Sequence, residues 1–175
     1  MPKNKIGQIT RAALFLAILI TWQFSSRVFG NQYITGSGVN LILAVSVCLC
    51  GLVSGLAVAL LSNPLAALIG VGPNFPPLIP FIMAGNVVYV ITWHFLARLA
   101  FKKKFLAYII AALAAAFVKF AVLYFGIVKF AAGFFPELPA AAVIMFSYPQ
   151  LITALTGGVV ACAVLPFLDG AGKIK

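Results

Sequence analysis

Two long apolar runs, 77–99 and 104–128, are separated by a single tight cluster of positive charge, Arg98, Lys102, Lys103 and Lys104. At 1.5 Å per residue each run is long enough to cross roughly 30 Å of hydrocarbon as a helix. Basic residues beside membrane spans are retained on the cytoplasmic side, so this cluster sets which way up the chain sits.

The rest of the chain must then agree with it. Of 175 residues, 64% are hydrophobic and 8% charged, against about 25% charged for an average soluble domain. Too few polar side chains exist to cover a water-exposed surface, and a bilayer is the solvent that suits the chain. The net charge of +10 does not point to nucleic acid, because the basic residues are scattered between apolar runs and form no stripe.

The apolar stretches predict an all-α integral membrane protein, a six-transmembrane-helix bundle forming one membrane domain over 1–175. The helices are expected at 10–29, 40–50, 52–69, 77–99, 104–128 and 140–167. The first is read as a retained span, too long for a signal-peptide apolar region. The block 41–71 would be about 46 Å long as one helix, too long for an untilted span. Splitting it near Cys50 to Val53 places Lys3, Lys5, Arg11, the central cluster, Lys173 and Lys175 on one side, which is nine of the 12 positive charges. Both termini are then cytoplasmic. The polar stretch 30–40, GNQYITGSGVN, reads as an external loop, as do 70–77 and 129–139.

Polar groups within spans are costly and default to functional roles. Lys119 lies about nine residues, roughly 14 Å, from the outer end of its helix, and Asn86 lies at a similar depth after Pro77. Tyr148 and Gln150, counted from Ala140, fall at about 12–15 Å. Asn86, Tyr89 and Trp93 recur at helical spacing and share a face. Asn86, Tyr89, Lys119, Tyr148 and Gln150 are therefore the candidate substrate-binding residues, as an aromatic wall with a few oriented polar groups describes a small-molecule pocket. Packing of the aromatics and snorkelling of Lys119 are the plainer readings of the same residues.

Catalysis finds no support. The only two acidic residues, Glu137 and Asp169, fall outside the expected helices, and no His-Glu-x-x-His or Gly-x-Ser-x-Gly motif occurs. His94 stands alone, and Cys48, Cys50 and Cys162 lie in apolar runs where thiols pack as small hydrophobes, so no metal site is expected. The tail Gly170 to Ile174 lacks the remainder of a phosphate loop. A pocket without an acidic coupling residue or a catalytic group suits a binding subunit driven by partners, although a self-sufficient small carrier or channel, or a purely structural subunit, is also compatible with these residues.

In its six expected helices, cytoplasmic termini, polar first external loop, Ala13-x-x-x-Ala17 pair and central run 51–90, GLVSGLAVALLSNPLAALIGVGPNFPPLIPFIMAGNVVYV, the chain resembles the substrate-binding S components of energy-coupling factor (ECF) transporters. The resemblance implies a multi-pass protein of a prokaryotic plasma membrane that captures a vitamin-like micronutrient from outside. It implies partners: a transmembrane coupling subunit and two ATPases that hydrolyse ATP, with no cofactor on this chain. Ala13 and Ala17 would dock on the coupling subunit. The binding site would lie near the external face between helices 4 to 6, where Lys119 favours an anionic or carbonyl-rich compound such as pantothenate, riboflavin or folate.

Overall fold

The computed structural model describes residues 5–71, 75–99 and 104–171, and these are helical almost throughout, without a strand among them. The elements are α1 (Lys5–Arg27), α2 (Gln32–Cys50), α3 (Leu52–Leu68), α4 (Ile79–Leu96), α5 (Lys104–Leu123), a π-helical segment (Tyr124–Ala131), one further turn α6 (Ala132–Phe134), α7 (Ala140–Met145) and α8 (Tyr148–Ala171). Five stretches are long and apolar enough to cross a membrane: Ile6–Ser26, Gln32–Cys50, Pro76–Leu96, Lys104–Phe134 and Ala140–Leu168. The apolar helix Leu52–Leu68 is shorter. Large apolar side chains including Phe24, Phe95, Phe117, Phe125 and Phe167 stand exposed on the outside, as suits a multi-pass membrane protein surrounded by lipid.

The expected break between the second and third helices is present. Gly51 ends α2 and opens α3 with φ +87°, a left-handed value that disfavours any residue with a Cβ. The stretch 30–40 differs from expectation: most of it is helix, and α2 begins at Gln32. Asn31 caps it, its side chain accepting from the Tyr33 N–H at 2.8 Å. Glycine and serine here serve close packing. A Cβ on Gly36 would come within 2.9 Å of the Thr153 side chain, and one on Gly38 would collide with the Trp22 indole. Without a hydrophobic driving force between helices in lipid, such small residues let backbones approach closely enough for dispersion to hold them. Residues Gly38 to Val47 of α2 are buried apart from Leu41, which makes it the central helix, packed on α1, α3, α4 and α8.

The expected helix 104–128 runs on through the π-helical segment to Phe134, which shortens the connector expected at 129–139. The expected helix 140–167 is interrupted between α7 and α8. Ser147 turns back on Ile144 O through its Oγ at 2.6 Å, and Pro149 lacks the N–H that would continue the ladder. Phe146 is thereby turned inward, 8% exposed.

Inward stripes follow helical periodicity. On α5 the buried series Ala107, Ala111, Ala115, Lys119, Leu123 repeats every fourth residue, and on α8 the pairs Thr153/Ala154, Gly157/Gly158 and Ala161/Cys162 do the same. One apolar cluster centred on Leu43, Tyr89, Trp93 and Ala115 fills the middle of the bundle. A smaller one, with Leu78, Leu123, Ile127, Leu138 and Phe146, lies toward the end that carries residues 69–71, 75 and 135–139.

Candidate functional site

Between these two clusters lies a cavity of about 380 Å³. Gln23 of α1, Thr35, Val39 and Asn40 of α2, and Asn63 of α3 form one side. Phe75, Leu78, Ile82 and Asn86 form another, and Lys119, Ala142, Phe146 and Gln150 close it. The lining residues Val71, Phe75 and Pro139 lie in connectors at the same ends of the helices as Gln23 of α1 and Gln32 of α2, so the cavity opens at one end of the bundle. Beyond it Tyr89 and Trp93, both 0% exposed, fill the interior, and among the described residues the lining ends at Asn86 and Lys119 on that side.

Its centre is Lys119, 3% exposed. Because α5 presents Ala115 one turn before it and Leu123 one turn after it on the same inward stripe, its ammonium is aimed at neighbouring helices and away from lipid. The Nζ donates to Asn40 Oδ1 at 2.6 Å and to Asn86 Oδ1 at 2.7 Å, and stands 5.4 Å from the centroid of the Tyr89 ring. Three helices, α2, α4 and α5, are joined at this one atom. No carboxylate lines the cavity among the described residues. Two amides and an aromatic face solvate the cation in place of a counter-ion.

Asn40 is itself anchored, its Nδ2 donating to Gly36 O at 2.8 Å. Three polar atoms of the cavity residues are buried without a partner among the described residues: Asn86 Nδ2, Asn63 Nδ2 and Gln23 Oε1. Native interiors rarely leave such groups unmatched, and these three face a cavity with room for water or a ligand to meet them.

Of the residues singled out from the sequence, Asn86, Lys119 and Gln150 line the cavity. Tyr89 does not line it; its ring lies behind Lys119 in the core, with Trp93 at 6.4 Å between ring centroids, so the expected aromatic wall is packing. Tyr148 is 73% exposed and stacks on Phe120 outside, 6.3 Å between centroids. Residues two apart on a helix point in different directions, so Tyr148 and Gln150 on α8 cannot face one cavity. Ala13 and Ala17 are exposed on the outer face of α1, away from the cavity. Asn40, Asn63 and Gln23 belong to the site and were not among the candidates. Asn40 was hidden by its loop-like surroundings, and Asn63 by the proline that follows it inside α3.

No protein-family model, curated protein or solved structure matches this chain.

Proposed function

We propose that this chain captures a small molecule within the membrane as the S component of an ECF-type importer, delivering a vitamin-like micronutrient to a coupling subunit and two ATPases. The observation that carries the reading is the dead-ended cavity built around Lys119, which has polar groups for binding and none placed for catalysis. A cavity of about 380 Å³ falls at the small end of ligand pockets, which span roughly 300–1,000 Å³.

Orientation adds support. With Arg98 and Lys104 on the cytoplasmic side, the opposite end of α4 and α5, where the cavity opens, faces outward in a prokaryotic plasma membrane. The exposed Ala13 and Ala17 lie four residues apart on α1, a helix with few buried positions, and give a smooth surface on which a partner helix can pack. A filled interior beyond Lys119 speaks against a channel.

The partner prediction is tested by capturing the tagged chain from its own membranes. Wild type is expected to bring down a second membrane subunit and ATPases in fixed stoichiometry, and Ala13→Leu with Ala17→Leu is expected to lose them at least tenfold while ligand binding is unchanged. Solute uptake into liposomes by the chain alone, without ATP, would point instead to an autonomous carrier.

A further inference from the structure

We propose that the cavity takes a small monocarboxylate, holding the carboxylate at Lys119 and Asn86 and the remainder of the molecule against Phe75, Leu78, Ile82 and Phe146. This rests on the capture reading and specifies its substrate class.

The hydrogen bonds at Lys119 fix the polarity of the site. An ammonium only donates, so both amides that meet it must turn their oxygens toward it, and their nitrogens point elsewhere. For Asn40 the nitrogen is satisfied on Gly36 O; for Asn86 it is buried with nothing to bind. Asn63 presents a second unmatched amide nitrogen to the same cavity. Among the described residues the third N–H of Lys119 has no hydrogen-bond acceptor beyond those two amide oxygens. The cavity therefore offers an excess of donors and one unneutralised positive charge, and its complement is an anionic acceptor.

Charge decides between anions. Among the described residues Lys119 is the only Lys or Arg on the lining, so a carboxylate neutralises the site, while a phosphate monoester near −2 leaves a buried negative charge that none of them matches. A neutral amide or alcohol leaves the ammonium uncompensated. Gln23 Oε1, the unmatched acceptor, fits a hydroxyl or amide N–H on the body of the ligand. Apolar side chains from the segment before α4, from α4 itself and from the α7–α8 break supply the rest of the surface, so the body is largely apolar.

The test uses the full chain in detergent and titrates 8-hydroxyoctanoate, 4-(4-hydroxyphenyl)butanoate and N-acetyl-β-alanine, each beside its primary amide and the corresponding phosphate monoester. At least one acid is expected to bind at least tenfold more tightly than its amide and its phosphate. In Lys119→Met the acid-to-amide ratio is expected to fall to about one. Asn86→Asp, which places a carboxylate beside Lys119, gives a second route to the same loss should Lys119→Met not fold. Amides or phosphates that bind as well as acids, a preference retained in both variants, or no acid bound at all would overturn the proposal. Acid-selective binding without a coupling subunit would instead count against the importer reading alone, and a coupling subunit without acid selectivity against the carboxylate alone.

Discussion

Gly157→Ala is expected to destabilise the protein by about 1–3 kcal/mol, the usual range for overpacking a tight interior, and larger side chains are expected to prevent folding. Helices α2 and α8 share the most extensive contact in the bundle, and Gly157 lies where they meet. A Cβ there collides with Ser37 O and would approach Asn40 Cβ to 2.7 Å and Leu41 N to 2.9 Å. Two of these three atoms belong to the backbone of a central helix and cannot rotate aside. Because Asn40 is one of the groups displaced, ligand binding should weaken together with stability. Gly133→Ala is the matched control, as nothing lies within 4 Å of its added Cβ. Thermal unfolding in detergent with size-exclusion chromatography reads both; an unchanged midpoint for Gly157→Ala would contradict the close approach of α2 and α8.

Asn40→Leu alone is expected to cost about 1.5–3 kcal/mol, the range for a hydrogen bond to a charged group, because it strips one of the two oxygens that solvate a buried ammonium. Removing both partners is a different matter. In Asn40→Leu with Lys119→Met no uncompensated cation remains, and apolar replacement of a buried polar pair is often close to neutral. The double variant should therefore lose less stability than the sum of the two single variants, by about 1–3 kcal/mol, within the range for residues in direct contact. Reversible unfolding of all four proteins in mixed micelles measures the difference. Strict additivity would mean that Asn40 and Lys119 do not meet.

How far the fold could be read beforehand depended on what each residue type signals in lipid. The apolar runs at α3, α4 and α5 and the turn at Gly51 were legible, because hydrophobic length and charge placement report them directly. The start of α2 was not. Gly36, Ser37 and Gly38 mark a loop in water, whereas between membrane helices they are the residues that permit contact, and the same letters serve both uses. Asn40 was lost with that stretch. Lys119, Asn86 and Gln150, which line the cavity, stand out in the sequence because a polar group in a span requires a reason. Tyr148 does not line the cavity because depth alone does not fix direction: it stands two residues from Gln150 on α8, so when Gln150 faces inward Tyr148 faces out. Tyr89 was placed on the correct face of α4, but a face extends from the cavity into the core, and periodicity does not separate the two.

The central claim is that the cavity around Lys119 holds a small molecule. Denaturing the chain after purification from cells grown in rich medium, and identifying what it releases by mass spectrometry, tests this most directly. One carboxylic acid released in one-to-one stoichiometry from wild type, and absent from folded Lys119→Met, is the expected result. Wild-type protein that is empty from every growth medium, and binds none of the acids titrated above, would contradict it.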